Sequence, residues 1–130
     1  MKNEIQFERS DAWLLLSIPR EDLAPLDVVI GAADIIKHAI PTPEEMEGGF
    51  TRLIQAGLIL ENERQLGLTA SGSQVVAKAE AHSRYALRQW DFLADNVLTG
   101  GLPAISTESF VLQDGEAQSA YRKYDKRAKK

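Results

Sequence analysis

The fold is decided by residues 53–72, which contain Leu53-Ile54-Gln55-Ala56-Gly57-Leu58-Ile59 and then Leu68-Thr69-Ala70-Ser71-Gly72. Gly57 follows an apolar helical face, at a position where a residue that tolerates positive φ ends a helix. Two short apolar runs flank the polar residues 61–64 and predict a β-hairpin. Thr69 is placed to cap a further helix. This stretch therefore predicts helix, hairpin and helix, in that order.

Two helices are predicted further upstream. Ser10 resembles an N-cap for an apolar first helix over residues 12–18, which Pro19 ends because proline donates no amide hydrogen. The second helix is predicted over residues 26–40, where apolar side chains recur at steps of three and four. Both helices should pack their apolar residues in one core.

The third helix has the clearest start in the chain. Thr42 and Glu45 fit a Thr-x-x-Glu capping box, and Pro43 takes the first helical position. Gly48 and Gly49 lie inside this helix at a cost of about 1 kcal/mol each relative to alanine. We expect them to allow close approach of a neighbouring helix or a ligand.

These elements carry a family resemblance. The run from Leu53 to Ile59, followed by Leu68-Thr69-Ala70-Ser71-Gly72, resembles the "L-x-x-x-G-L-I … L-T-x-x-G" pattern of bacterial winged helix-turn-helix regulators of the PadR-like and MarR-like families, over about half of the chain. The resemblance implies a mainly α fold with a small β-hairpin. A winged-helix core over about Ser10 to Lys78, within a domain of residues 1–78, would then be followed by a long C-terminal helix.

The region after the hairpin shows a heptad pattern. Its seam alternates steps of three and four and consists of Val76, Ala79, Ser83, Ala86, Trp90, Leu93 and Val97. We predict one helix to about Leu98, with residues 79–98 as a homodimer interface; packing against the same chain is the alternative. Residues 99–130 form an appendage with a basic tail.

Charge divides the chain unequally. Residues 121–130 hold six Lys or Arg side chains and one Asp, a net charge of +5, so the other 120 residues account for −9 of the total of −4. An acidic body repels nucleic acid, whereas a basic end attracts it. Any phosphate binding is therefore expected at the C-terminal end, unless that end is a solubilising tail.

Two functions are consistent with these features. The resemblance implies a transcriptional regulator whose third helix and hairpin contact duplex DNA, with Thr51, Arg52, Gln55 and Arg64 as the expected contacts. The same helix carries three carboxylates against one arginine, and phosphate binding depends on Lys and Arg. The alternative is a protein-interaction module that does not bind DNA directly, in which Glu44, Glu45 and Glu47 contact a basic protein surface.

Other function classes have little support. The chain contains no cysteine, which excludes disulfides and thiolate chemistry and favours a cytoplasmic location, and no apolar run is long enough to span a membrane. His38 and His82 have no ligand or base partner at a telling spacing. We predict no enzyme, no metal site and no cofactor.

Overall fold

The computed structural model describes residues 4–128, and its class is the predicted one: mainly α with a small β-hairpin. The helices are α1 (Arg9–Leu16), α2 (Leu26–Lys37), α3 (Pro43–Gln55), α4 (Ala70–His82), α5 (Ala86–Phe92), which continues as a π-helical turn (Leu93–Val97), and α6 (Glu116–Ala128). The strands are β1 (Glu4–Ile5), β2 (Ala24–Pro25), β3 (Ile59–Asn62), β4 (Gln65–Leu68) and β5 (Leu102–Pro103).

The predicted hairpin is formed by β3 and β4. Their antiparallel register places Ile59 opposite Leu68 and Asn62 opposite Gln65, and β2 adds a third strand in the order β2-β4-β3. Glu63 and Arg64 both have positive φ, as a two-residue hairpin turn requires. A separate pair, β1 with β5, joins the N-terminal segment to the chain after the π-helical turn. The sequence predicted neither β2 nor the β1–β5 pair.

One hydrophobic core lies between α1, α2, α3 and the three-stranded sheet. Its largest fully buried side chains include Trp13, Phe50, Leu14, Leu53 and Leu66. The indole nitrogen of Trp13 donates to the carbonyl of Ala33 at 2.9 Å, so the only buried indole is satisfied within the described residues. Burial of residues 11–15 of α1 agrees with the apolar composition of this helix.

The helix boundaries partly match the predictions. The Thr42–Glu45 capping box is confirmed, with its two hydrogen bonds at 2.9 and 3.0 Å. Helix α1 begins one turn earlier than predicted, because Glu8 and not Ser10 is the N-cap. Helix α2 ends at Lys37 and not at residue 40, since His38 adopts the left-handed conformation at φ 59°. Gly57 ends α3 with φ 77°, as predicted.

The prediction of a single long fourth helix is wrong. Ser83 has φ −160° and ψ 150°, so α4 ends at His82 and α5 starts a new helix at Ala86. The predicted dimer seam is thereby divided: Val76, Ala79 and Leu93 are buried in the core of their own chain. Trp90 stacks on Trp13 with ring centroids 5.9 Å apart and donates to the Arg9 carbonyl.

The remaining seam residues, Ser83, Ala86 and Val97, are half-buried. The seam therefore packs mainly on its own chain, which was the alternative. The homodimer itself stays a prediction.

Helix α6 packs on α2. The ring of Tyr124 lies where a Cβ on Gly31 would be only 2.9 Å away, and its hydroxyl donates to Asp34 at 2.5 Å. This hydrogen bond raises the pKa of Tyr124. Arg127 pairs with Asp27, so this part of the basic tail is docked on the body. Lys129 and Lys130 lie outside the described residues.

Helices α1 and α3 approach closely at Gly49. A Cβ there would lie 2.5 Å from Cδ1 of Leu14 and 2.9 Å from Oδ1 of Asp11. The expected role of the glycine pair is thus confirmed at Gly49, whereas Gly48 faces the guanidinium of Arg52. The absence of a side chain at Gly49 leaves room for the Asp11 carboxylate.

Replacement of Gly49 by alanine tests this contact. We expect Gly49→Ala to lower the free energy of unfolding by about 1–3 kcal/mol, because overpacking exceeds the ~1 kcal/mol that alanine adds in helix propensity. The matched control is Gly100→Ala, where an added Cβ meets no atom within 4 Å. Urea denaturation of both variants is the measurement, and an unchanged Gly49→Ala midpoint would contradict the close packing.

Candidate functional site

The outer face of α3 carries a stripe of polar side chains. Glu47, Thr51 and Gln55 are spaced four residues apart, so they lie one above the other on one side of the helix. In a helix that reads DNA, side chains on such a solvent-facing stripe would be open to the groove. Here all three are only partly exposed.

An extended segment, residues 104–113, covers this stripe, and we call it the strap. The Thr51 hydroxyl accepts from the Phe110 amide at 2.9 Å and lies 3.2 Å from the Phe110 carbonyl. The Glu47 carboxylate accepts from the Leu112 amide at 2.8 Å. The Gln55 side chain donates to the Glu108 carbonyl at 3.2 Å. The strap therefore runs antiparallel to α3.

The start of the strap also caps the end of α3. The last carbonyls of a helix have no partner inside the helix. The Gln55 carbonyl accepts from the amides of Ile105 and Ser106, at 2.7 and 3.3 Å. The strap thus satisfies backbone groups as well as side chains of α3.

Phe110 anchors the strap in the core. Its side chain is 2% exposed, and its ring meets Phe50 edge to face, with centroids 5.3 Å apart. The neighbouring strap residues Ile105 and Val111 are exposed. Phe110 is therefore the one fully buried side chain among the strap residues, and its burial adds an apolar contribution to the polar contacts of the stripe.

The hairpin arginine, Arg64, contacts both the strap and the start of α6. Arg64 donates to the Glu116 carboxylate at 3.0 and 2.5 Å and to the Val111 carbonyl at 3.0 Å, and its guanidinium lies 4.6 Å from the centre of the Phe110 ring. Desolvation alone would raise the pKa of Glu116, but hydrogen bonds from Arg64 and from the Gln113 amide outweigh it and lower that pKa. Arg64 thus joins the hairpin to the start of α6.

Arg52 lies beside the stripe on α3, where a buried carboxylate holds it. Its guanidinium donates to Asp11 through Nε at 2.6 Å and through Nη2 at 2.9 Å, and Glu8 lies 3.4 Å away. Asp11 is 0% exposed and also accepts from the Glu8 amide. Hydrogen bonding to Asp11 raises the pKa of Arg52 despite partial desolvation. The pair joins α1 to α3.

The expected DNA contacts are therefore all bonded inside the chain. Thr51 and Gln55 contact the strap, Arg64 contacts Glu116, and Arg52 contacts Asp11. The structure brings three of the four together along the strap and places Arg52 apart from them. Whether any of them contacts DNA stays a prediction.

The carboxylates predicted to contact a protein partner differ in the bonds that they make within the chain; they are Glu44, Glu45 and Glu47. Glu45 completes the capping box and Glu47 holds the strap. Glu44 is exposed and has no hydrogen bond or ion pair within residues 4–128. The three carboxylates together make the surface at the start of α3 acidic.

No metal-binding arrangement is found among the described residues. No group of three His, Asp or Glu side chains in residues 4–128 is arranged to hold a metal ion. His82 stacks on Phe92 with centroids 4.4 Å apart, and His38 caps α2 through its backbone. Over the same residues, no helix has the length and apolarity that a membrane span requires.

Comparisons with known proteins identify no relative of this chain. No protein-family model matches the chain, and the searches of curated proteins and of solved structures give no match. The resemblance to winged-helix regulators therefore stays a prediction. The function has to be inferred from the side chains and their geometry.

The strap was not predicted from the sequence. Its residues have no helical or strand periodicity, and each of its partners in α3 and the hairpin lies 47 or more positions away along the chain, as in the contacts of Thr51 with Phe110 and Arg64 with Val111. One feature of the sequence could have indicated the strap: Phe110 is the only aromatic residue between Phe92 and Tyr121. An isolated aromatic side chain in a polar segment is typical of an anchor.

A double-mutant cycle tests the Asp11–Arg52 pair. Arg52→Ala should lower the free energy of unfolding by about 3 kcal/mol, because it leaves a buried carboxylate unpaired. Asp11→Ala/Arg52→Ala should lose less than the sum of the single variants, with a coupling of at least ~1 kcal/mol. Urea denaturation gives all four values.

The control for this cycle is Arg20→Ala, which breaks the exposed pair of Arg20 with Glu80 and should cost less than ~1 kcal/mol. If Arg52→Ala were as stable as the wild type, Arg52 would not have the structural role assigned to it.

Proposed function

We propose that this protein is a cytoplasmic winged-helix module that binds another protein, and that its third helix does not read DNA. The observation that carries the proposal is the strap over the outer face of α3. A recognition helix needs that face open to enter the major groove. Here Thr51, Gln55 and Glu47 already bond to the strap backbone.

The charges of α3 and the hairpin support the same conclusion. Arg52 and Arg64 are the only Lys or Arg residues in these two elements, and each is paired with a carboxylate. Phosphate binding requires cations that can replace counterions around DNA. Arginines that are paired with carboxylates, and that lie in elements with further carboxylates such as Glu61 and Glu63, provide little attraction for phosphate.

The binding surface of the proposed module is the first turn of α3. Glu44 is exposed there, and Asp114, also exposed, lines the same shallow depression as Pro43. Glu45 and Glu47 add negative charge close by. A partner of complementary charge would present Lys and Arg side chains, which favours fast association and a defined orientation.

A second candidate is a transcriptional regulator that contacts duplex DNA through α6. Arg122, Lys123 and Lys126 are exposed on that helix and have no hydrogen bond or ion pair within the described part of the chain. This basic end is the one region where the net charge favours nucleic acid. The net negative charge of the rest of the chain opposes DNA binding.

Charge reversal tests the proposed protein surface. A tagged full-length chain should retain a stoichiometric partner from native lysate, and Glu44→Lys should abolish that recovery, because a like charge then faces the basic partner. The matched control is Glu63→Lys, an exposed carboxylate on the hairpin, which should recover the partner as the wild type does. Quantitative mass spectrometry of the eluates is the measurement.

Two results would contradict the proposal. One is equal recovery of the same partner by the Glu44→Lys variant. The other is enrichment of a defined duplex site from a random pool, with affinity that falls steeply as salt rises. If Lys123→Gln/Lys126→Gln then abolished that DNA binding, the α6 candidate would replace the protein-interaction function.

A further inference from the structure

An open pocket of about 370 Å³ lies between the loop after α2, the start of α3, and α6. Its apolar part includes Ile30, Ile40 and Met46. The helix α6 contributes three side chains with hydrogen-bond donors: Gln118, Tyr121 and Arg122. The volume is at the lower end of the range for small-molecule sites, and a mainly apolar lining with a few polar groups is typical of them.

The polar side of the pocket is positively charged. Arg122 is the only charged residue in the lining. It is exposed and has no hydrogen bond or ion pair within residues 4–128. A guanidinium presents a planar set of donors that matches a carboxylate. An apolar pocket with one unpaired arginine at its side is therefore complementary to an amphipathic anion.

We propose that this pocket binds a small organic carboxylate with an apolar body, such as an unbranched alkyl chain of about eight carbons, whose length suits a pocket near the lower size limit. The chain would lie against Ile40, Pro43 and Tyr121, where the buried Ile30 and Met46 also line the pocket, and the carboxylate would pair with Arg122. Pro43, Ala117 and Gln118 line both this pocket and the depression beside the first turn of α3, whereas Ile40 and Arg122 line only this pocket. The inference therefore does not depend on the proposed function.

Occupancy of the pocket would also stabilise the docking of α6. The lining comes both from the α2–α3 region and from α6, so a bound ligand contacts both sides. A ligand that binds only the folded state raises the stability of that state. Octanoate is a carboxylate with an unbranched chain of about this length. The midpoint of thermal unfolding should therefore rise with the octanoate concentration.

The test uses methyl NMR of the full chain. Met46 is one of only two methionines, so ¹³C-methyl labelling gives a signal at the pocket that a Met46→Leu variant identifies. Titration with sodium octanoate should shift this signal in a saturable way. Octylamine, which has the same chain and the opposite charge, should shift it much less.

Variants separate the charge from the apolar contact. Arg122→Gln should weaken octanoate binding about threefold to fivefold, because a partly exposed ion pair contributes up to about that factor. The matched control is Lys123→Gln, the adjacent cation on α6, which lines a different depression and should leave the affinity within about twofold. Both positions are exposed, so both variants should fold.

Three results would overturn the proposal. The first is the absence of any saturable shift of the Met46 methyl signal. The second is an equal response to octylamine, which would mean that the pocket accepts any apolar chain, including a side chain from a protein. The third is an unchanged octanoate affinity in Arg122→Gln.

Discussion

The rest of the structure depends on the burial of one carboxylate. Asp11 is fully buried between α1 and α3, and a buried charge is stable only when it is paired and hydrogen-bonded. Arg52 supplies the counter-charge, the Glu8 amide supplies a third hydrogen bond, and Gly49 leaves the space. The only cation of α3 is thereby bound to α1 and lies off the stripe of Glu47, Thr51 and Gln55.

This constraint leaves the outer face of α3 without positive charge, and the strap then covers it. Backbone amides of the strap bond to the Glu47 and Thr51 side chains, and Phe110 enters the core beside Phe50. The hairpin arginine, Arg64, pairs with Glu116 at the start of α6. The surface that remains for a partner is acidic at the first turn of α3 and basic along α6.

Local signals in the sequence were sufficient for much of the fold. The Thr42–Glu45 capping box, Gly57 and the hairpin each depend on residues within a few positions of one another, and all three form as predicted. The heptad pattern was misleading, because Ser83 breaks the helix while the spacing continues through it. The site could not be predicted, since its contacts join α3 and the hairpin to distant residues that have no periodicity.

The covered face of α3 is tested most directly by amide hydrogen exchange in the strap. The amides of Phe110 and Leu112 donate to Thr51 and Glu47, whereas the Val111 amide between them has no acceptor within the described residues. The account predicts that the Phe110 and Leu112 amides exchange at least about tenfold more slowly than the Val111 amide. Exchange of all three at the rate of an unstructured chain would contradict it, because the outer face of α3 would then be open.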